Sequence, residues 1–168
     1  MKISTKGEYG IRAMLYLAQH ADEGSVTSHE IACHQGIPEP YLRQILAQLS
    51  KTGLIHSNRG PQGGHVLARP AVEISIRDVI VPLEGYTTSV DQILALHCTI
   101  EGGTEHCAIR ELLLRVKRAV DDILATATLA DLARRQSELV REDIRVPADL
   151  PAPEWVVEEE EDALPVLR

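Results

Sequence analysis

The 168-residue sequence contains no phenylalanine, and aromatic residues make up only 3% of it. This scarcity excludes the single-strand nucleic-acid binders that stack successive bases on aromatic side chains. The sequence also lacks any run of about 18 consecutive apolar residues, so it predicts no membrane-spanning helix. The opening residues, MKISTKGEYG, lack the apolar segment of a secretory signal peptide, and we therefore expect a cytoplasmic protein.

Cysteine is scarce as well, with one residue each at positions 33, 98 and 107. An odd count in a chain without a signal peptide argues against a disulfide framework, because the expected compartment is reducing. The three side chains are therefore expected to be thiols or metal ligands.

Basic charge is in short supply overall, because the net charge is −8 at pH 7. The deficit is uneven. Residues 1–70 hold seven Lys/Arg against five Asp/Glu, a net charge of +2, whereas residues 71–168 hold ten against twenty, a net charge of −10. The acidity therefore lies in the second half, and the first half is mildly basic. Residues 145–168, which include the acidic run 158–162, are expected to form a solvated tail.

The first half contains the order of elements that is typical of a winged helix-turn-helix. Apolar side chains at helical spacing predict helices at about residues 5–20, 28–34 and 38–52. Two short β-type segments, 54–58 and 65–68, flank a turn rich in Gly and Pro and predict a hairpin. The spacing of Thr5 and Glu8 predicts a capping box at the first helix. Cys33 is expected to be a small buried residue of the second helix.

Apolar periodicity returns in the second half. A short helix capped by Ser75 is predicted at residues 74–83, a longer one of about 18 residues starts near Ile109, and Thr128 caps a last helix. The longer helix exceeds what a small winged domain needs to cover itself, so we expect it to pair with its copy in a homodimer. The predicted fold is mainly α: a winged helix-turn-helix DNA-binding domain (1–83), a cysteine-containing loop (84–108), long C-terminal dimerisation helices (109–144) and the tail (145–168).

The third helix and the hairpin are the elements that can meet double-stranded DNA, because a helix in the major groove presents its outward N-terminal residues to base edges. Arg43 suits guanine and Gln44 suits adenine, while Arg59 at the hairpin tip suits a narrow minor groove or phosphates. For isolated residues, an ordinary polar helix face is the alternative. The full set of predicted DNA contacts is Thr27, Ser28, Glu39, Pro40, Tyr41, Arg43, Gln44, Arg59, Gly60, Gly63 and Gly64.

Four segments together resemble one family of regulators. They are ISTKGEYG at 3–10, IPEPYLRQIL at 37–46, GLIHSNRGPQGG at 53–64 and TLADL at 128–132. They are similar to the Rrf-type family of bacterial winged-helix transcription regulators over about residues 1–135. The resemblance implies a homodimeric transcription factor that binds an operator, often with an iron–sulfur cluster that governs this binding. It implies no enzymatic activity.

The cysteine pattern departs from that of the family's cluster-bearing members. The resemblance implies three cysteines before the long helix if the protein holds a cluster as these members do. Here only Cys98 and Cys107 are present, since Glu101 and Ala95 stand six and twelve residues before Cys107. Two cysteines can hold a two-iron two-sulfur cluster if nitrogen or oxygen ligands complete it. The resemblance implies that Glu8 from the first helix of the other subunit is one such ligand, and His106 and His97 are local alternatives.

Other interpretations of the cysteines stay open. Cys98 and Cys107 could be a metal-free thiol pair, or could bind zinc with His97 and His106, although neighbouring side chains diverge and fit a tetrahedral site poorly. A cysteine-dependent enzyme is disfavoured, because adjacent residues rarely converge as nucleophile and base. With Cys98 and Cys107 as ligands, the resemblance implies a regulator that senses redox, iron or nitric oxide status through a cluster. A metal-free regulator that responds to a thiol modification, a metabolite or a partner protein is the alternative.

Overall fold

The computed structural model describes residues 3–58, 60, 63–88, 90, 94 and 104–146. This part of the chain contains six α-helices and one two-stranded antiparallel sheet, which confirms the predicted mainly α fold with a winged helix-turn-helix and a long later helix. The elements are α1 (Thr5–Gln19), α2 (Ser28–Gln35), α3 (Glu39–Lys51), β1 (Ile55–Asn58), β2 (Gly64–Leu67), α4 (Ile76–Glu84), α5 (Ala108–Thr126) and α6 (Leu129–Arg141).

Most helix ends follow from local sequence. Gly36 ends α2 in the left-handed conformation, with φ of 60°, which glycine adopts without steric cost. Ser75 and Thr128 begin α4 and α6 with capping boxes, in which Asp78 and Asp131 accept from the cap backbone in return. Both caps were predicted from the sequence and are confirmed.

The predicted capping box at the start of α1 is wrong. Ser4, not Thr5, is the N-cap, and its hydroxyl accepts from the backbone N–H groups of Lys6 and Gly7 at 3.2 and 3.3 Å. Ser4 is selected by a distant residue, because the Glu84 carboxylate accepts from the Ser4 backbone N–H at 3.1 Å and from its hydroxyl. With Ser4 as the N-cap, the third helical position, where a capping box needs a side chain that can accept a hydrogen bond, is occupied by Gly7. Glu8 is the next residue and is exposed.

The position of Cys33 also differs from the prediction. Cys33 is exposed, and its Sγ lies 3.6 Å from Nε2 of His29. In the eight-residue helix α2, Ile31 and Ala32 face the core. The next residue is rotated by about 100° from Ala32, which turns its side chain to solvent.

The core forms where α1, α3 and α4 meet, and α6 returns onto α1. Leu129 is completely buried there, and its N–H donates to the carbonyl oxygen of Ile74 at 2.9 Å. Only the C-terminal part of α5 joins this core, through Leu124 and the half-buried Val120. A stripe on the same helix remains exposed, and it consists of Ile109, Leu112, Val116 and Ile123 at 62%, 57%, 44% and 65%.

The hairpin is attached to the chain just before α2 by main-chain hydrogen bonds. Val26 N–H donates to the carbonyl oxygen of His65 at 3.0 Å, and His65 N–H donates to that of Val26 at 2.8 Å. The neighbouring Gly64 has no room for a side chain, because a Cβ there would lie 2.7 Å from the Val26 carbonyl oxygen. The hairpin is therefore held at a fixed position against the helix-turn-helix.

The side chain of His65 strengthens this attachment. Its Nε2 lies 2.9 Å from the Ser28 hydroxyl at the start of α2, and its Nδ1 lies 2.9 Å from the Ser57 hydroxyl on β1. Burial of the ring lowers the pKa of His65 below its ordinary value of 6.5. The imidazole is therefore neutral at pH 7 and bridges the two elements.

This lowered pKa predicts a loss of stability in acid. Above about pH 6.5 the ring is neutral in the folded and unfolded chains. As the pH falls through that value, the unfolded chain gains a proton that the folded chain does not bind, so the free energy of unfolding decreases until the folded pKa is passed. Urea unfolding from about pH 8 to about pH 5 should show a smaller decrease in the free energy of unfolding for His65→Gln than for the wild type.

His56→Gln, at an exposed position of β1, is the control and should show the same decrease as the wild type. An equal pH dependence of the free energy of unfolding in all three proteins would contradict the prediction.

Candidate DNA interface and cysteine site

The outward side of α3 carries the side chains that the sequence assigned to base contacts. Arg43, Gln44 and Pro40 are exposed, opposite the buried face of the helix. Arg43 is held in place by Glu39, whose carboxylate lies 2.6 Å from Nη2 of the guanidinium. The other oxygen of Glu39 lies 3.1 Å from Nδ1 of His29 on α2.

These contacts set the charge state of Glu39. The hydrogen bond from His29, followed by the contact with the Arg43 guanidinium, holds the pKa of the carboxyl below its ordinary value, although partial burial opposes the shift. Glu39 is therefore ionised at neutral pH. A cationic and an anionic group stand together at the end of α3 that the sequence placed toward DNA.

The predicted contacts outside α3 have different environments. Thr27 is exposed as the N-cap of α2, where its hydroxyl accepts from the Glu30 N–H at 3.2 Å. Ser28 is engaged with His65. Tyr41 is half-buried and packs edge-to-face on Tyr9, with ring centroids 6.0 Å apart, so its ring also supports the α1–α3 contact.

At the hairpin tip, Arg59 lies outside the described residues. Gly60 has φ of 120°, in the region that favours glycine, and its carbonyl oxygen accepts from the Gly63 N–H at 2.9 Å. The packing of Gly64 against Val26 accounts for glycine at that position from contacts within the chain alone.

The structure adds residues that the sequence interpretation missed. His65, Ser57 and Asn58 from the hairpin line a groove together with Arg43 and Ser50 of α3. The sequence does contain one indication of this position of His65. Residues two apart in a strand share a face, and His65 is two residues before Leu67, which packs against the core. A histidine on the inward face of a short strand is a candidate for a buried polar role.

The second predicted site centres on Cys107, which is the N-cap of α5. Cys107 is 8% exposed, and its Sγ accepts from the Arg110 backbone N–H at 3.4 Å. The positive end of the helix dipole favours a thiolate at this position. Beside it is a cavity of about 560 Å³ whose lining includes Glu105, His106 and Glu111.

The donor set for a metal centre is incomplete within the described part of one protomer. Cys98 and His97 lie outside it, and among its residues no three His, Cys, Asp or Glu side chains are grouped so that they could hold a metal ion. Glu8 lies on the exposed face of α1 and pairs with Arg12 at 3.5 Å. Cys107 itself fits a thiolate ligand, because it lies at a helix N-terminus and borders a cavity.

The helix that Cys107 caps, α5, is joined to the segment that follows α4. The Thr87 hydroxyl donates to Asp121 of α5, and Lys117 lies 2.6 Å from the same carboxylate. Burial opposes ionisation of Asp121, but hydrogen bonds from Lys117 and Thr87 outweigh it and hold the pKa of the carboxyl below its ordinary value. The Asp121 carboxylate thus links α5 to the segment that follows α4.

The cysteine-containing loop and the acidic tail lie largely outside the described residues, so their predicted boundaries stay predictions. Within the described residues, no helix has the length and apolar character needed to span a bilayer.

Comparison with known proteins assigns this architecture to one family. Residues 3–135 match the Rrf2 family model, which describes an iron-dependent transcriptional regulator. The chain is 37% identical to the transcriptional regulator IscR of Serratia proteamaculans over 146 residues, which is 85% of each chain.

Two solved structures share the fold. The structure of CymR, described as the global cysteine regulator of B. subtilis, superposes with a TM-score of 0.69 at 37% identity and covers 80% of this chain and 98% of its own. The structure of T. potens IscR superposes with a TM-score of 0.67 at 39% identity. The match covers 82% of this chain and 90% of the IscR chain. The relatives are transcriptional regulators rather than enzymes. The chain therefore belongs to the Rrf2 family of DNA-binding transcriptional regulators.

Proposed function

We propose that this regulator binds its operator as a homodimer in the cytoplasm and senses redox, iron or nitric oxide status through a two-iron two-sulfur cluster. The observation that carries the proposal is the position of Cys107, a buried thiol at the N-terminus of the long helix α5, beside a cavity. Cys98 is proposed as the second thiolate ligand.

The remaining ligands would be nitrogen or oxygen donors. His106 lines the same cavity as Cys107, and Glu8, exposed on α1, is proposed to come from the partner subunit. When bound, an iron–sulfur cluster supplies a centre whose integrity depends on the redox environment and which links the residues that hold it.

The chain itself provides a route from this site to DNA. Asp121 links α5 to Thr87 after α4, and α4 packs on α1, which in turn contacts α3. We propose that a displacement at the N-terminus of α5 reaches the two recognition helices of a dimer through these contacts. Since a dimer reads half-sites about one helical turn apart, a change in their spacing weakens binding.

The exposed stripe on α5 supports the homodimer. Ile109, Leu112, Val116 and Ile123 lie on one side of the helix, and no part of the described protomer covers them. A second copy would bury all four apolar side chains. The removal of apolar surface from water is the dominant favourable contribution to protein association.

The surface proposed to contact the operator consists of the exposed residues at the start of α3, the start of α2 and the hairpin tip. Arg43 is proposed to read a guanine and Gln44 an adenine in the major groove. Arg59, with Gly60, Gly63 and Gly64, is proposed to approach the minor groove or phosphates.

A metal-free regulator that responds to a thiol modification, a metabolite or a partner protein is the second candidate. The similarity to CymR favours it, because that protein is described as a regulator of cysteine. The two candidates differ in whether the isolated protein contains iron and sulfide.

The cluster proposal predicts that protein purified without oxygen absorbs visible light and contains iron and sulfide in equal amounts. Cys98→Ala and Cys107→Ala should each lose both, whereas Cys33→Ala should retain them, because Cys33 lies on α2, distant in sequence from the proposed loop. Operator affinity, measured by fluorescence anisotropy, should differ between loaded and iron-depleted protein. A colourless wild-type protein that binds its operator would instead support the metal-free candidate.

The dimer proposal predicts that Ile123→Asp separates the subunits. An unpaired charge in a buried apolar interface costs about 3 kcal/mol or more, which corresponds to a dissociation constant at least about a hundredfold higher. Val72→Asp is the matched control, because Val72 is 64% exposed and lies outside the stripe. Sedimentation velocity should show a monomer for the first variant and a dimer for the second; a dimer in both would place the interface elsewhere.

The interface proposal predicts that Arg43→Ala weakens binding to a duplex selected from random sequences with the wild-type protein. The expected loss is about 1–3 kcal/mol, with relaxed preference at one base pair, because a bidentate guanine contact is removed. Arg141→Ala removes an equally exposed arginine at the end of α6 and should leave affinity unchanged. Unchanged affinity and preference in Arg43→Ala would exclude a base-reading role.

A further inference from the structure

A groove separates the outward side of α3 from the hairpin. Arg43 and Ser50 line it from α3, Ser57 and Asn58 from β1, and Ser28 from the start of α2, with His65 of β2 between them. Its volume is about 810 Å³, and all of its described lining residues except Ala47 carry a hydrogen-bonding side chain. The groove lies between the two elements proposed to enter the major and minor grooves, which is where the DNA backbone passes in such a complex.

His65 controls which hydroxyl protons of this groove are available. A neutral imidazole donates from one ring nitrogen and accepts at the other, so one of its two serine partners must donate its proton to the ring. A protonated imidazole donates from both nitrogens. The hydroxyl that previously donated to the ring is then released to donate into the groove.

The charges around the ring are few in the described residues. Arg43 is the charged side chain that lines the groove, and it is paired with Glu39. On the opposite side of His65 lies Arg69, which is paired with Asp78 at 2.9 Å, and the facing residue of α1 is Leu17. Among the described residues that line either side there is no carboxylate, so an anion that enters the groove would add a negative charge beside the ring.

We propose that this groove binds one phosphate of the DNA backbone and that the ring of His65 takes up a proton as the phosphate binds. The phosphate would receive hydrogen bonds from the released serine hydroxyl and from the Asn58 amide, and charge stabilisation from Arg43. A bound anion favours the charged imidazole and offsets the burial that keeps the ring neutral in the unbound protein.

This inference rests on the proposed use of α3 and the hairpin as the DNA-binding face. It adds Ser57, Asn58 and His65 to that face, and it links DNA binding to the uptake of a proton. Because binding takes up a proton, affinity should rise as the pH falls. If one proton is taken up, the operator affinity can rise by at most about tenfold per pH unit. This limit applies between the pKa of His65 in the unbound protein and its pKa in the complex.

The test is operator affinity between about pH 8 and about pH 6 at constant ionic strength, measured by fluorescence anisotropy with the selected duplex. We expect the affinity of the wild type to rise severalfold on acidification and that of His65→Gln to stay flat. His56→Gln replaces an exposed histidine on β1 and should retain the wild-type rise. At the lower pH, the dependence of log affinity on log salt should be smaller by about one for His65→Gln, since one phosphate contact is lost.

A second measurement does not depend on a variant that folds. Calorimetric titration of the wild type with the same duplex, in two buffers of different ionisation enthalpy, gives the number of protons taken up. We expect a positive value, at most one per protomer, near neutral pH. No uptake, or an affinity that falls on acidification, would overturn the proposal, as would an equal pH dependence in His65→Gln and the wild type.

The outcomes separate this inference from the DNA-binding face on which it rests. If Arg43→Ala weakens binding but His65→Gln keeps the wild-type pH dependence, the face is correct and the phosphate site is wrong. If Arg43→Ala weakens binding to all duplexes equally without a change in base preference, and His65→Gln loses the pH dependence, the phosphate site is supported and base reading by Arg43 is excluded.

Discussion

The close packing of α4 against α1 is the constraint on which the other parts of the structure depend. Glycine at two positions of α1 makes room for it, because a Cβ on Gly7 would displace the Glu84 carboxylate and one on Gly10 would displace the end of the Leu83 side chain. The same approach lets Glu84 fix the N-cap Ser4, and lets Lys6 donate to the Leu83 carbonyl oxygen at 3.0 Å. One contact thus fixes both the start of the first helix and the end of the fourth.

This contact makes the two halves of the molecule mechanically continuous. On one side, α1 supports α3 through the Tyr9–Tyr41 ring pair and the shared core. On the other side, the segment after α4 reaches α5 through Thr87 and Asp121. The mildly basic N-terminal part and the acidic C-terminal part are therefore distinct in composition, yet a series of packed elements joins them.

The sequence predicted those features whose partners lie close together in the chain. The caps at Ser75 and Thr128 each need a partner three residues away, and both were predicted. The cap at Ser4 was missed because Glu84, 80 residues away, selects it over Thr5. His65 was missed for a related reason, since Ser28 lies 37 residues away and only the folded hairpin brings them together. Cys33 was misplaced because a two-turn helix offers too few apolar positions to define its inward face.

The ion pair between Glu39 and Arg43 has a consequence for how selective a DNA contact at this position can be. An exposed arginine samples many rotamers and loses that freedom when it is immobilised. Here the Glu39 carboxylate, itself held by His29, restricts the guanidinium before any ligand arrives. Part of the ordering cost of a base contact is therefore met in the unbound protein. The pair thus presents a donor group and an acceptor group side by side, and guanine, which has only acceptors on its major-groove edge in this pairing scheme, can bond to the guanidinium alone.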